Sequence, residues 1–208
     1  SSFHSFYVGL NRTTNTVTVY GDINESGSDA DIIDIELEAN GALRVESQGG
    51  AFVEIIPNAE YTTLIINSGN SDDDIDVDFL AASKTVIVNA GSGNDAIDLA
   101  IESDDLDTDL QSDLSINGGT GTDTIDFNDT ADGVNSDNYT ISSTQVIKSP
   151  LGSNRIVSYS QSEQLNIFGS AQNNTWDLNS LSAGVTLDMN GGAGNDTLDL
   201  GNDMDSIT

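Results

Sequence analysis

The chain has 208 residues, of which 35 are acidic and only 5 are basic, and its formal net charge at pH 7 is -30. This charge argues against nucleic acid and anionic membranes as partners, because phosphate binding requires clusters of Lys and Arg. The chain has no Cys, which excludes disulfides, zinc–thiolate sites and thiol catalysis, and it contains no apolar stretch that predicts membrane insertion.

Short apolar runs that are rich in β-branched residues and bounded by Gly, Asn and Asp predict strands along the chain. The clearest runs are residues 16–20, 64–66, 85–88, 96–99 and 185–189. The aromatic segment 3–10 is expected to cover the open end of the strand array or to belong to a preceding unit. Helical periodicity is nearly absent. Residues 101–114, with Leu at intervals of four, favour either one short helix or an acidic loop.

Residues 129–164 predict a hairpin-type insertion. They contain Lys148 and Arg155, two of the five basic residues, and a turn is expected at residues 149–152. A structural insertion is the favoured interpretation, and a local function is the alternative. Three apolar runs predict its strands, at residues 139–142, 145–148 and 155–159.

An eight-residue pattern, Gly-x-Gly-x-Asp-x-Ile/Leu-Asp, recurs along the chain, with a strand-like run before each copy. Asp73 and Asp95, the fifth residues of two neighbouring copies, are 22 residues apart, and this spacing recurs in the last two copies. Three clear copies and three weaker ones begin at Gly91, Gly119 and Gly192, and at Gly27, Gly69 and Ser170. The fifth residues are Asp31, Asp73, Asp95, Asp123, Asn174 and Asp196.

Units of this length cannot bury their few apolar residues alone, so they must stack on one another. The sequence therefore predicts an all-β fold, a right-handed parallel β-solenoid of the β-helix or β-roll type, with coils of roughly 22 residues. We expect residues 1–208 to form a single solenoid that is a fragment of a longer protein. The seventh residues of the copies should form one inward stack: Ile33, Ile75, Ile97, Ile125, Trp176 and Leu198.

The fifth residue of the pattern also predicts a calcium site. Stacking would align the Asp carboxylates in a column that repels itself unless a cation lies between the coils. Glycine allows the positive φ angles of a tight corner, and the carbonyl groups exposed there are hard oxygen donors that suit calcium. The alternative is a ladder of Asn and Asp turns without metal, which Asn174 favours because a neutral amide is a poorer calcium ligand. The expected ligands are Asp73, Asp95, Asp123 and Asp196, with carbonyls near Gly91, Gly93, Gly119 and Gly121, and Asp205 is expected to pair with Asp196.

Residues 118–126 read Gly-Gly-Thr-Gly-Thr-Asp-Thr-Ile-Asp, and residues 191–199 follow the same pattern. Both segments resemble the hemolysin-type calcium-binding repeats of the repeats-in-toxin family, in the degenerate form of large bacterial surface proteins and adhesins. The resemblance implies a parallel β-roll with calcium between successive turns, in a secreted bacterial protein. This chain differs from the family because its copies recur about every 22 residues, whereas the family's repeats run in tandem about every nine.

These features favour a structural or adhesive module that is stabilised by calcium and belongs to a secreted cell-surface or filament-forming protein. Its expected partners are calcium ions, like subunits in a filament or surface layer, and a surface glycan. Calcium is abundant outside cells, where weak sites can fill, so we expect an extracellular location. The alternative is a polysaccharide-active β-helix enzyme, a hydrolase, although no catalytic residue is assigned. An ice-binding solenoid ranks last, because Thr-x-Thr pairs do not repeat in phase.

Overall fold

The computed structural model describes residues 6–21, 30–47, 51–133, 136–149 and 154–201. Within these ranges the chain is all-β, which confirms that part of the predicted fold. The strands are β1(Tyr7–Asn11), β2(Thr16–Tyr20), β3(Ile32–Leu37), β4(Leu43–Ser47), β5(Phe52–Ile56), β6(Thr63–Asn70), β7(Asp74–Val77), β8(Thr85–Ser92), β9(Ala96–Leu99), β10(Leu114–Thr120), β11(Thr124–Asn128), β12(Asn138–Ile141), β13(Gln145–Ser149), β14(Arg155–Ser160), β15(Gln164–Phe168), β16(Thr175–Leu178), β17(Thr186–Asn190) and β18(Thr197–Leu200).

Helical structure is confined to a 3-10 turn at Asn58–Glu60 and to α1(Leu106–Asp109), as far as the described residues go. The side chain of Asp105 caps α1 by accepting hydrogen bonds from the backbone N–H groups of Asp107 and Thr108. Residues 101–114 therefore take the helical alternative, but only for one turn. No helix in the described part of the chain is long and apolar enough to cross a membrane.

The strands form two mixed sheets. Sheet A has ten strands in the order β1-β2-β6-β8-β10-β14-β13-β12-β16-β18, and sheet B has eight in the order β17-β15-β11-β9-β7-β3-β4-β5. Strands β1, β4, β5 and β13 pair antiparallel with their neighbours. The other pairs are parallel, and β6 pairs with β8 at the 22-residue spacing of the repeat, beginning with Thr63 opposite Thr85.

Alternation along the strands positions the core. Successive side chains point to opposite faces, so every second residue of repeat strands such as β7, β9, β11 and β16 is buried, whereas β17 and β18 have no buried residue. Burying one Ile or Leu side chain stabilises the fold by about 1.5–3 kcal/mol, so long columns of them are a major stabilising element. The column in sheet B consists of directly opposed residues that are at most 1 % exposed: Ile33, Ile75, Ile97, Ile125 and Leu165.

The prediction that six seventh-position residues form one stack is wrong. The first four lie in sheet B, but Trp176 and Leu198 lie opposite each other in sheet A, where Trp176 also pairs with Tyr139. The reason is a change of phase. In the early copies the repeat forms the corner from sheet A to sheet B, whereas in the last two it forms the corner from sheet B to sheet A. The corner from β14 to β15 lacks the Gly pattern, and the copies that follow it are shifted to the opposite corner.

Residues 129–164, the predicted insertion, supply β12, β13 and β14 to sheet A. Strand β13 lies antiparallel between the other two. Most of the predicted turn at residues 149–152 lies outside the described residues. Strand β13 carries Lys148 into the interior, where the lysine is 2 % exposed.

Candidate functional site

At the A-to-B corner, the fifth residues of the repeats form a hydrogen-bonded ladder. The backbone N–H of Asp31 donates to Oδ1 of Asp73 at 2.8 Å, and that of Asp73 donates to Oδ1 of Asp95 at 2.9 Å. The N–H of Asp95 donates to Oδ1 of Asp123 at 2.9 Å, and the N–H of Asp123 donates to Oε2 of Glu163 at 2.9 Å. The four Asp residues are buried. Each carboxylate thus satisfies a main-chain donor that stacking has removed from water.

This ladder explains the leading Gly of the repeat. Gly118 precedes Asp123 by five residues, and a Cβ on Gly118 would lie 2.6 Å from Oδ2 of Asp123. Gly191 has the same relation to Asp196, with a distance of 2.5 Å. A small residue is therefore required wherever the Asp side chain folds back over the corner, whether or not a metal binds.

The structure brings three of the four predicted Asp ligands to one corner. Asp73, Asp95 and Asp123 occupy successive levels there, together with the predicted glycines Gly91, Gly93, Gly119 and Gly121. Asp196 lies instead at the B-to-A corner, where its Oδ1 accepts the N–H of Asn174 at 2.8 Å. Its expected partner Asp205, and the start of the weak copy at Gly27, lie outside the described residues.

The second side-chain atom distinguishes the Asp residues of this ladder from Asn174, which lies at the B-to-A corner. Oδ2 of Asp95 and Oδ2 of Asp123 are buried and have no hydrogen-bond partner among the described residues. At Asn174 the corresponding atom is a nitrogen, and Nδ2 donates to the carbonyl oxygens of Ser170 and Gly191, each at 3.1 Å. Asp95 and Asn174 hold the same position in the repeat, so we expect Oδ2 of Asp95 to face equivalent carbonyl oxygens. Such an arrangement requires either a proton or a cation. Burial raises the pKa of Asp95 to about 6, although the hydrogen bond from Asp73 opposes this shift.

Replacing Asp95 by Asn should raise the stability of the protein in chelator at neutral pH, by about 1 kcal/mol. The amide would keep the acceptor for Asp73 and add a donor for the carbonyl groups, as Asn174 does. Urea denaturation measures the change. The matched control is Asp95→Ala, which removes the acceptor and should destabilise by about 1–3 kcal/mol. An Asp95→Asn variant less stable than the natural chain would contradict this assignment of the two carboxylate oxygens.

A second acidic feature, which we name the outer acidic row, lies on the other face of sheet B. It consists of the eighth residues of the first four copies, placed directly opposite one another on adjacent strands: Asp34, Asp76, Asp98 and Asp126. One carboxylate oxygen from each of Asp74, Asp76 and Asp98 lies within 4.8 Å of the others. No site was predicted at this row, although the constant Asp at the eighth position of the first four copies was a visible signal for it.

Like charges in register on neighbouring strands are destabilising, and the pKa values in the outer acidic row reflect this. Burial, followed by the charge of Glu36, raises the pKa of Asp34 to about 7. Burial and the neighbouring carboxylate of Asp126 raise the pKa of Asp98 to about 7. For Asp76, burial and the charge of Asp74 raise the pKa to about 6. The row therefore favours either bound protons or a bound cation at neutral pH.

The raised pKa values predict that the protein without divalent cations is more stable in mild acid than at neutral pH. The folded protein binds more protons than the unfolded chain between the ordinary Asp pKa of 3.8 and the raised values of about 6 to about 7. Stability is therefore greatest below this window and is lost as the pH rises through it. We expect the Tm in chelator to fall by several degrees between about pH 5 and about pH 7.5. A Tm that rises over this interval would contradict the prediction.

The corner ladder and the outer acidic row offer the same chemistry, because both present carboxylate oxygens repeated at the spacing of adjacent strands. Such hard donors suit cations such as calcium, whose ligands are oxygens. The corner ladder already uses one oxygen of each Asp for the main chain, whereas the outer acidic row faces away from the core. Comparison with protein-family models, with curated proteins and with solved structures finds no match to this chain.

Proposed function

We propose that this chain is a calcium-stabilised structural module, built as a right-handed parallel β-solenoid, of a secreted protein at a cell surface or in a filament. The observation that carries the proposal is the outer acidic row, in which four consecutive parallel strands present Asp at the same level. Adjacent strands lie about 4.7–4.9 Å apart, so these carboxylates repel one another unless a cation or protons neutralise them.

The solenoid is supported by the parallel ladders and by the alternation of the chain between the two sheets. Strands β6, β8 and β10 follow one another in sheet A, and β7, β9 and β11 follow in sheet B. Each passage through both sheets adds one layer to the columns of buried Ile, Leu and Val. Connections between parallel strands are right-handed in nearly all proteins, which is the basis for the proposed handedness.

Calcium is proposed as the cation because of the dimensions of the acidic group. Calcium–oxygen distances are about 2.3–2.6 Å, so donors on opposite sides of the ion lie up to about 5 Å apart. The oxygens of Asp74, Asp76 and Asp98 lie within 4.8 Å of one another. Oδ2 of Asp95 and Oδ2 of Asp123 at the corner are the candidate donors for further ions. Weak sites of this kind fill where calcium is abundant, which supports the extracellular location.

A structural role is favoured over a polysaccharide hydrolase because the acidic groups are repeated. Hydrolysis of a glycosidic bond uses one pair of carboxylates with different roles, placed on either side of the bond. Here equivalent carboxylates recur on consecutive strands, which suits a series of like ions better than one reaction centre. Like subunits or a surface glycan remain the proposed partners of the module.

Calcium titration of the purified chain tests the proposal. Calcium should raise the Tm by several degrees, because an ion that binds only the folded state adds about 2.7 kcal/mol at a hundredfold excess over its Kd. The double variant Asp76→Asn/Asp98→Asn should lose most of this response. Asp188→Asn, at the same level of sheet B but opposite Asn166, is the matched control and should retain it. A Tm that does not change with calcium in the natural chain would overturn the proposal.

A further inference from the structure

A buried lysine lies among four carboxylates beneath sheet A. Nζ of Lys148 lies 2.7 Å from Oδ2 of Asp129, 3.2 Å from an oxygen of Asp107 and of Asp132, and 3.7 Å from Oδ1 of Asp137. We name these five residues the lysine cage. They come from the α1 turn, from the segment that follows β11 and from β13, so the cage joins parts of the chain that are distant in sequence.

Within the cage, Asp129 is the principal partner of Lys148. Its Oδ1 also accepts the backbone N–H of Leu106 at 3.0 Å, and its Oδ2 accepts the hydroxyl of Tyr139. Both oxygens of Asp129 therefore have donors, and its charge is balanced by the ammonium group beside it. The charges of Asp107, Asp132 and Asp137 are left to be balanced by other groups.

The side chain of Asp137 points to a missing ligand. It is 0 % exposed, and neither of its oxygens has a hydrogen bond within the described part of the structure. The closest approach of Asp137 to Nζ of Lys148 is 3.7 Å, from Oδ1, and Oδ2 accepts no hydrogen bond among the described residues. A buried carboxylate oxygen without a donor is costly, and this one belongs to a group aimed at two other carboxylates.

The charges of the cage leave room for a divalent cation. Four carboxylates carry four negative charges, and Lys148 supplies one positive charge. Arg155, which donates to the main-chain oxygen of Asp107 at 3.1 Å, supplies a second. Two negative charges remain, and one divalent ion would neutralise them. Uncompensated buried charges are strongly unfavourable, so neutrality is the expected state of the cage.

We propose that Asp107, Asp132 and Asp137 bind one calcium ion beside Lys148. One oxygen from each residue lies within 4.8 Å of the other two, which matches the separation of donors around an ion with calcium–oxygen distances of about 2.3–2.6 Å. Magnesium, with distances of about 2.0–2.1 Å, would require a more compact group. The site is separate from the outer acidic row, because it uses none of the same residues and lies on the side of sheet A. The ion would tie the α1 turn to the segment before β12.

Trp176 provides a local reporter for this site. It is the only Trp in the chain, and its ring is stacked on that of Tyr139 with 4.3 Å between centroids. Tyr139 in turn contacts the cage through Asp129. Terbium(III) occupies calcium sites and luminesces when an excited indole lies nearby. Selective excitation of Trp176 should therefore give terbium luminescence that calcium displaces and that magnesium displaces poorly.

The test compares the natural chain with Asp137→Asn and Asp107→Asn, each checked for folding by circular dichroism. Both variants should weaken the terbium affinity measured through Trp176 by about tenfold or more, because each removes a charged ligand. Asp113→Asn, an exposed substitution before β10, and Asp98→Asn, in the outer acidic row, should leave it unchanged. The proposal is overturned if the natural chain gives no sensitised signal, or if the signal survives either cage substitution at the natural affinity. A Tm response to calcium that is kept in the cage variants would still support the outer acidic row, so the two proposals fail independently.

Discussion

Replacement of Gly121 by Ala is expected to lower the free energy of unfolding by about 3 kcal/mol or more. Gly121 has a φ of 141°, which side chains rarely adopt, and a Cβ there would overlap the carbonyl oxygen of Gly93 in the neighbouring repeat. The two costs add, because relieving the overlap would require the stacked corners to separate. Equilibrium denaturation with urea measures the change.

Gly184→Ala is the matched control for this prediction. Gly184 also has a positive φ, of 89°, but a Cβ there meets no atom within 4 Å. It should therefore cost only the strain of the backbone conformation, about 1 kcal/mol. Equal losses for the two variants would show that the corners are not packed against each other at Gly121.

Replacement of Lys148 by Met should cost about 3–5 kcal/mol in chelator at neutral pH, because it removes the cation from a buried cluster of carboxylates. Burial by itself would lower the pKa of Lys148, but Asp129 and Asp137 more than compensate and raise it. The lysine is therefore charged at neutral pH in the folded protein. The stability of the natural chain thus depends on the charge of this ammonium group. Methionine has a similar size but no charge, so it cannot replace the lysine.

The stability of the Lys148→Met variant should recover as the pH falls. Burial raises the pKa of Asp137 to about 7 and that of Asp129 to about 6, in each case against the opposing charge of Lys148. Without the lysine these values would rise further, so protonation would neutralise the cluster in mild acid, and the stability would be lost again as the pH increases through them. Lys84→Met, which removes hydrogen bonds to the main chain at Asn58 and Tyr61, is the control and should cost about 1 kcal/mol at either pH. A Lys148→Met loss no larger than this, or one that does not recover in acid, would contradict the role assigned to the ammonium group.

Local patterns in the sequence were sufficient to predict many of the strands and the Gly-rich corners of the early copies. The alternation in residues 85–88 and 96–99 corresponds to β8 and β9, and the glycines between them lie where the chain turns from one sheet to the other. Asp95 was identified from its phase in the repeat, and the structure places it in a column with Asp73 and Asp123. These features depend on residues close in sequence and on a constant spacing, which is why they could be predicted.

The remaining features depend on how distant segments meet. The shift of the repeat to the opposite corner arises from β12, β13 and β14, whose antiparallel pairing has no counterpart in the repeat. Because of this shift, Trp176 and Asp196 lie apart from the residues that hold the same positions in the earlier copies of the repeat. The lysine cage joins Asp107 to Lys148 across 41 positions, a contact that no periodicity indicates. The positive charge of Lys148 in an acidic region was visible in the sequence, but its burial was not.

The corner ladder has a direction. At each described step the acceptor carboxylate belongs to the repeat that comes later in the chain. Asp73 accepts the backbone N–H of Asp31, Asp95 accepts that of Asp73, and Asp123 accepts that of Asp95. During synthesis on the ribosome, the backbone N–H of the fifth residue in a completed repeat therefore lacks its carboxylate acceptor until the next repeat has been made. Truncation from the two ends is consequently not equivalent, because removing later repeats exposes an N–H group and removing earlier ones exposes a carboxylate oxygen. Ordered growth from the first repeat toward the last is the direction in which each new layer completes the one before it.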